Sequence, residues 1–280
     1  MDVVNTEQSE FWAELAPTWV ELEPSLEQVS GLPGQMALDR LDPRPGQHLL
    51  DLGCGAGGMT RQLAERVAPG GSVLGVDIAE GMVEGARRRA ADAGVANVEF
   101  RVADVQVQDL GPGAFDGAYS RFGVMFFEDP AAAFANVRRS LKPGAPLVFA
   151  CWQTVFDNEW MLVPGAAAMA VTGELPMGGP DEPGPFSLAD PARLDAVLGT
   201  AGFSAVDVQP HNDAIVLSAD ALGAQMRLTM QIMTSRSPLR DAADDTREQV
   251  RAAIEAAFAE RAEDGVLRLA RGFHVVRATA

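Results

Sequence analysis

Lysine, histidine and cysteine are scarce in this chain of 280 residues. Lys142 is the single lysine, and 39 acidic residues outnumber 22 basic ones, which gives a formal net charge of −17. Proteins that bind nucleic acids use clusters of lysine and arginine to neutralise phosphates, and no basic stripe occurs here. We therefore expect no nucleic-acid partner.

Long apolar runs and metal-ligand spacings are missing as well. The apolar runs are too short to cross a bilayer, and the first ten residues are polar and acidic, unlike a secretory signal. We therefore expect a cytoplasmic protein with no membrane partner, and the two cysteines, Cys54 and Cys151, fit that compartment. Neither a CxxC nor an HExxH pattern occurs, so we expect no metal site.

The chain does contain a glycine-rich loop between a strand pattern and a helix pattern. An apolar run that includes Asp51 is followed by Gly53, Gly55 and Gly57, and helical spacing then begins. A loop without Cβ atoms lets the backbone approach a ligand closely. The GxGxxG match formed with Gly58 is weak evidence alone, because dinucleotide-binding enzymes share it.

Three successive predicted strands carry an aspartate at or near their carboxyl ends. Asp51 belongs to the first, Asp77 to a strand at 72–78, and Asp104 to a strand at 98–104. Asp77 follows the glycine loop by about 20 residues, where the acceptor for a ribose diol lies in nucleotide-binding βαβ units. Parallel strands bring these carboxylates to one edge of a sheet. A simpler interpretation is that Asp77 and Asp104 only cap the helices that follow them.

Further strands and helices extend this pattern along the chain. Segments 115–122 and 145–152 predict a fourth and a fifth strand, and segments 203–209 and 267–279 predict two more. The intervening helices begin at Asp-Pro pairs or follow helical apolar spacing. The alternation of strands and helices predicts an α/β fold with a mostly parallel sheet.

These motifs together resemble the class I S-adenosylmethionine (SAM) dependent methyltransferases. Within them, the chain is similar to the bacterial small-molecule group related to quinone-biosynthesis methyltransferases. The matching segments cover roughly residues 45–152, in the order of the family: LLDLGCGAGG, VLGVDIAEGM, VADVQ, FDGAYSRFGVMFFEDP and RRSLKPGAPLVFACW. The resemblance implies a doubly wound, Rossmann-like sheet of seven strands, mostly parallel with a final antiparallel strand. It also implies SAM as cofactor and S-adenosylhomocysteine as product.

The resemblance also suggests a division of the chain. Residues 1–35 would be an N-terminal helical lid, 36–152 the SAM-binding core, and 153–280 the second half of the sheet. Cap helices would lie in insertions at about 153–186 and 218–264. An apolar stripe at helical spacing in 5–20 supports the first helix, which either moves as a lid, hinged at Pro24 to Pro33, or packs permanently on the core.

Cofactor-binding residues follow from the resemblance, position by position. Asp51 and the glycine loop would hold the methionine end of SAM, Asp77 the ribose hydroxyls, and Asp104 the adenine amino group. Ile78 and Met82 would pack against the face of the adenine, and the backbone amide of Val105 would meet the edge of the adenine ring. The backbone at Ser120 would lie near the amino group of the ligand. Trp19, in the N-terminal helix, would also contact the cofactor. Met82 is equally well explained as a core residue.

The methyl acceptor is expected to be a small, largely apolar metabolite, such as a quinone precursor or a specialised metabolite. It would be methylated at oxygen, nitrogen or carbon by in-line SN2 displacement. Five aromatic residues are candidates for its site: Trp12, Phe122, Phe126, Trp152 and Trp160. Methionines of the two insertions would either line a pliable apolar pocket or belong to the core: Met161, Met169, Met177, Met226, Met230 and Met233.

No catalytic base can be assigned from the sequence. Asp157 and Glu159, which follow the fifth strand, are the carboxylate candidates, although a solvated loop explains both better. Arg121 would either orient an acidic substrate group or pair with Glu128 or Asp129.

Two other function classes fit parts of the pattern. One is a SAM-binding protein of the same fold that transfers no methyl group and has a cyclase or regulatory role. The other is a nicotinamide-dependent dehydrogenase, against which Asp104 and the lack of a well-placed proton donor argue. The expected oligomeric state is a monomer or a homodimer.

Overall fold

The computed structural model describes residues 4–174, 179, 182–235, 239–263 and 266–280. Met177 lies outside these residues. Among the described helices, none combines the length and apolar character needed to span a membrane.

The fold is built on one twisted sheet. Its strands are β1 (His48–Leu52), β2 (Ser72–Asp77), β3 (Val98–Val102), β4 (Gly117–Arg121), β5 (Pro146–Trp152), β6 (Ser204–Leu217), β7 (Ala262–Glu263) and β8 (Val266–Thr279). The seven longer strands lie in the order β3-β2-β1-β4-β5-β8-β6, and the two-residue β7 pairs with β8. Strands β1 to β5 pair in parallel, whereas β8 is antiparallel to β5 and β6. The predicted α/β fold, with seven main strands and a final antiparallel strand, is confirmed.

The helices connect and cover these strands. They are α1 (Thr6–Leu41), α2 (Gly58–Val67), α3 (Glu80–Asp92), α4 (Pro130–Ser140), α5 (Glu159–Thr172), α6 (Pro191–Thr200), α7 (Ala219–Thr234) and α8 (Asp244–Ala259). Single turns of 3-10 helix precede α4 and α5. The sequence signals at the Asp-Pro pairs are borne out, since Asp129 caps α4 by accepting from the Ala132 amide and Asp190 caps α6 in the same way.

Helix α1 is longer than the sequence predicts. The expected hinge between Pro24 and Pro33 is wrong, because one helix runs through both prolines to Leu41. Proline lacks the backbone donor of a helix interior, but burial of Leu22, Leu26 and other apolar residues of α1 offsets that loss. Tertiary packing thus overrides local propensity here.

Strand β6 also exceeds its prediction, which ended before Pro210. The strand continues to Leu217 and pairs with β8 throughout that extension. Because β6 lies at the edge of the sheet, a proline removes no essential ladder bond. His211, expected after this strand, is therefore inside it and stacks on Phe273.

The N-terminal half of α1 lies across the carboxyl ends of the parallel strands and packs against α7. Their apolar contact is a separate cluster of buried side chains: Leu15, Leu22, Leu26, Ala224 and Leu228. In open α/β sheets, ligands bind outside the carboxyl ends of the strands. The two helices therefore cover the edge at which a ligand is expected.

Candidate functional site

A cavity of about 230 Å³ lies between α1, α7 and the carboxyl ends of the parallel strands. Its walls near β2 and β3 include Asp77 and Asp104, and its walls near β5 and α5 include Trp152 and Trp160. Because β2 and β5 are three strand spacings apart in the sheet, these two groups of residues are about 14 Å apart. The cavity therefore joins an acidic side to an aromatic side.

The glycine loop after β1 forms the floor of the cavity. Gly53 has a φ of +65°, and a Cβ at this position would lie 2.7 Å from the backbone Cα of Gly123. Gly55 also has a positive φ and lines the cavity. Gly57 is absent from the described lining residues, and its missing Cβ instead makes room for Ala86 and Phe100.

Asp51 is a buried carboxylate at the end of β1. It is 1% exposed, and the Thr60 hydroxyl donates to its Oδ2 at 2.6 Å. Burial raises the pKa of Asp51 to about 7, although the Thr60 hydrogen bond and the charge of Arg121 act in the opposite direction. The side chain lines the cavity, so a cationic ligand group there would favour its charged form.

Asp77, at the end of β2, is partly buried and faces the cavity. One oxygen accepts from the Gly55 amide at 2.9 Å and the other from the Ala79 amide at 3.0 Å. Burial raises the pKa of Asp77. A carboxylate has about four acceptor positions, so this one can hold the loop, start α3 and still accept from two hydroxyl groups.

Asp104, which the family resemblance assigns to the adenine amino group, accepts four hydrogen bonds from within the protein. Its Oδ2 accepts from the backbone amides of Val4 and Asn5 at 2.9 and 3.0 Å. Its Oδ1 accepts from the Asn5 side-chain amide at 2.7 Å and from the Gln106 backbone amide at 3.0 Å. The carboxylate lines the cavity, but it serves as an attachment point for the segment before α1.

Arg121, at the end of β4, forms an ion pair with Glu27 of α1. Its Nη1 lies 2.7 and 2.9 Å from the two carboxylate oxygens. Both pairings expected from the sequence, with Glu128 and with Asp129, are therefore wrong. Arg121 is the single basic side chain among the described lining residues, and its charge is already balanced.

Aromatic rings form the opposite side of the cavity. Phe122 stacks on Trp152 with ring centroids 3.8 Å apart and planes 12° apart, and Trp160 lies against Trp152 at 4.9 Å. Trp12 of α1 meets Phe126 edge to face at 4.9 Å. All five aromatic residues proposed from the sequence line the cavity.

Most of the predicted cofactor-binding residues also line it. These are Trp19, Asp51, Gly53, Gly55, Asp77, Ile78, Met82, Asp104 and Val105. Ser120, whose backbone was predicted to lie near the ligand's amino group, is absent from the described lining residues, and its hydroxyl donates to the Leu52 carbonyl at 2.7 Å.

The structure places both carboxylate candidates for a base outside the cavity lining. Asp157 accepts from the Thr154 backbone amide at 3.1 Å, and Glu159 accepts from the Ala270 amide at 2.8 Å. Histidine is also absent from the described lining residues. His274 is buried in β8 with its Nε2 3.0 Å from the Ala189 carbonyl oxygen, and burial lowers its pKa.

Six polar residues line the cavity that sequence reasoning missed: Asn5, Gln8, Glu23, Ser30, Gln225 and Thr229. Gln8 and Glu23 share the helical spacing of the predicted Trp12 and Trp19 on α1, which is the signal that would have found them. Gln225 and Thr229 are one turn apart on α7 and joined by a 3.3 Å hydrogen bond. In the described part of the chain, no group of three or more histidine, cysteine or acidic residues could hold a metal ion, and Cys54 and Cys151 are both free and buried.

A family model matches the part of the chain that forms the acidic side of the cavity. Residues 49–144 match the family model described as a methyltransferase domain. Nocamycin O-methyltransferase from Saccharothrix syringae is 42% identical over 106 residues, 38% of this chain and 38% of that protein. Aklanonic acid methyltransferase DauC from Streptomyces sp. (strain C5) is 34% identical over 41% of this chain and 53% of its own length.

These matches span about half or less of the curated relatives. Among solved structures, the YcgJ protein of Bacillus subtilis superposes with a TM-score of 0.58. It is 18% identical, and the alignment covers 89% of this chain and 98% of that one. At this level of identity the likeness concerns the fold alone.

Proposed function

We propose that the protein is a SAM-dependent methyltransferase of the class I type that methylates a small, largely apolar metabolite, because residues 49–144 match the methyltransferase domain model. The methyl group would pass from SAM to an oxygen, nitrogen or carbon atom of the acceptor by in-line SN2 displacement. The observation that carries this proposal is the single cavity with carboxylates on one side and stacked aromatic rings on the other.

The acidic side of the cavity fits SAM. Asp77 has free acceptor capacity for the two ribose hydroxyls, and Asp51 is a buried carboxylate that a cationic amino group would stabilise in its charged form. The glycine loop leaves room for a ligand close to the backbone. SAM carries no phosphate, in agreement with a cavity whose one basic side chain is neutralised by Glu27.

The aromatic side fits a flat acceptor without a strong negative charge. The stacked rings of Phe122 and Trp152 offer an apolar wall, and no unpaired cation lies among the described lining residues to bind an anionic group. Gln225 and Thr229 provide a polar group on α7 for an acceptor hydroxyl, carbonyl or amine.

The main contribution of the protein to the methyl transfer is to align the acceptor with the cofactor. SAM supplies a methyl group that its sulfonium already activates, so holding acceptor and cofactor in line provides much of the rate. The described cavity lining contains no histidine to remove a proton. A phenol, amine or electron-rich aromatic carbon loses a proton when it is methylated, and we expect acceptors whose proton can pass to water.

The first experiment is calorimetric titration of SAM, S-adenosylhomocysteine and NADH, followed by a screen of phenols, quinols, amines and indoles for release of S-adenosylhomocysteine. Micromolar binding of both adenosyl ligands, with turnover on one acceptor class, would support the proposal. Binding of SAM without turnover on any class would favour the cyclase or regulatory alternative. Binding of NADH in place of SAM would overturn the proposal.

A variant of α7 tests the acceptor side separately. Thr229→Val removes the hydroxyl that accepts from Gln225 and keeps the shape of the side chain. We expect the KM for the acceptor to rise about 5- to 10-fold and the Kd for SAM to stay unchanged. Thr234→Val, at the end of the same helix, is the matched control. An unchanged KM in Thr229→Val would remove this residue from the acceptor site.

A further inference from the structure

The four acceptor positions of the Asp104 carboxylate are all used within the protein. Two backbone amides donate to Oδ2, and the Asn5 side chain and the Gln106 amide donate to Oδ1, with distances between 2.7 and 3.0 Å. A carboxylate has about four lone-pair directions. A ligand amine could reach this carboxylate only by displacing one of these donors.

Asn5 makes such a displacement unfavourable. Besides its bond to Asp104, its side-chain amide donates to Gln106 Oε1 at 3.3 Å, and its oxygen accepts from the Glu128 backbone amide at 2.7 Å. Asn5 is 3% exposed. It therefore ties the start of α1 to the loops after β3 and β4 at the same time.

Gln8 lies one helical turn beyond Asn5 and is in the opposite situation. Its side-chain oxygen, Oε1, is buried and has no hydrogen-bond partner among the described residues, and the residue is 9% exposed. Gln8 lines the cavity together with Ile78, Met82 and Val105. Asn5 directly precedes α1 and Gln8 lies in its first turn, so this unpaired acceptor follows at once the segment that Asp104 anchors, and both Gln8 and Asp104 line the cavity.

We propose that Gln8, and not Asp104, accepts the hydrogen bond of the adenine amino group. A glutamine amide suits adenine, because its oxygen accepts from the exocyclic amine while its nitrogen can donate to an adjacent ring nitrogen. The inference rests on the proposed function, since it assigns a role within the SAM site. In this arrangement the base is recognised by α1, and Asp104 holds α1 in the position from which Gln8 can do so.

This assignment predicts base selectivity that depends on Gln8. A purine without the 6-amino group would leave the buried Oε1 unpaired, and an unpaired buried acceptor is unfavourable. We expect the wild-type protein to bind S-adenosylhomocysteine about 10-fold more tightly than its analogue with unsubstituted purine in place of adenine. The ratio of the two dissociation constants is the quantity to measure, because a general loosening of the site affects both ligands alike.

Calorimetry on the full chain and three variants tests the assignment. We expect the preference for the amino-bearing ligand to disappear in Gln8→Leu and to persist in Asp104→Asn, although Asp104→Asn weakens both ligands by loosening the start of α1. Gln35 is a half-buried glutamine of the same helix that bonds to Asp39, so Gln35→Leu is the control and should match the wild type.

The opposite pattern would overturn the assignment. If Gln8→Leu keeps the preference for the amino-bearing ligand and Asp104→Asn loses it, Asp104 is the residue that accepts from the adenine amine. Equal binding of both ligands by the wild type would show that neither side chain reads the amine. If the wild type binds neither ligand, the proposed function itself fails, and that result is distinct from both others. Melting curves of each variant would confirm that it is folded.

Discussion

Arg89, at the end of α3, forms an ion pair with Glu23, near the middle of α1. The same guanidinium donates to the carbonyl oxygen of Val20. Glu23 lines the cavity and is 5% exposed, whereas Arg89 lies within residues 49–144, which match the methyltransferase domain model. This contact therefore fastens the covering helix to the part of the chain that holds the cofactor site.

Loosening this contact tests whether α1 acts as a lid. We expect Arg89→Gln to raise the dissociation rate of S-adenosylhomocysteine about 3- to 10-fold, because a partly buried ion pair contributes more than an exposed one. Stopped-flow displacement would measure the rate.

The adjacent Arg88 provides the control for this experiment. It is exposed, and the nearest oxygen of Glu84 in the same helix is 3.9 Å from its Nη1, so Arg88→Gln should leave the rate unchanged. A lower melting temperature of Arg89→Gln with no change in the dissociation rate would indicate that α1 is a fixed part of the core.

Substitution of Asp77 tests the ribose site. We expect Asp77→Ala to weaken S-adenosylhomocysteine binding by about 1–3 kcal/mol, the range for removing a buried hydrogen-bond partner. Calorimetric titration measures the loss, and Asp92→Ala, an exposed aspartate at the end of α3, serves as the control. Equal affinity in Asp77→Ala and wild type would remove this residue from the cofactor site.

Asp51 should make the stability of the ligand-free protein depend on pH. Its pKa is about 7 in the folded protein and about 3.9 in an unfolded chain. The folded state therefore holds the proton more tightly, so the free energy of unfolding falls as the pH rises from about 4 to about 7 and then levels off. Complete titration across this window corresponds to about 4 kcal/mol.

The variant Asp51→Asn isolates this contribution. Its amide oxygen still accepts from Thr60 and carries no titrating group, so the other acids of the chain cancel in the comparison. We expect the wild type to lose stability relative to Asp51→Asn between pH 5 and pH 7.5, measured by urea unfolding. A difference that is constant over this range would contradict the raised pKa.

A comparison of two glycines with similar φ values distinguishes the cost of backbone strain from the cost of steric conflict. Gly53 and Gly113 have φ values of +65° and +61°, but a Cβ would meet the Gly123 backbone at 2.7 Å only at Gly53 and has open space at Gly113. We expect Gly113→Ala to cost about 1–2 kcal/mol from the left-handed conformation alone. Gly53→Ala should cost clearly more and abolish cofactor binding. Chemical denaturation compares the two, and equal losses would show that the loop yields easily.

The cofactor half of the fold was predictable from the sequence, because its signals are local. Asp77 and Gly53 occupy positions set by strand ends and turns within one βαβ unit, and the structure places both in the cavity. Arg121 was predictable as a residue near the site. Its partner Glu27 was not, because the pairing spans 94 residues and joins two elements whose docking no local pattern specifies.

Two corrections concern prolines that the tertiary structure accommodates in different ways. Pro24 and Pro210 are breakers by local propensity, yet α1 runs through the first and β6 through the second. In α1 the burial of apolar side chains prevails, and in β6 the edge position makes the missing donor harmless. Asp104 shows another limit of local patterns, since the structure places it in the cavity lining while its donors Val4 and Asn5 lie about 100 residues away in the chain.

The position of β8 has a consequence for how the protein is made. β8 lies between β5 and β6, so the strand synthesised last joins the two parts of the sheet. During translation, the segments made first fold first, and β5 then presents an open edge that invites pairing with other chains. The edge of β5 therefore remains open to misassociation until Val266 to Thr279 have left the ribosome.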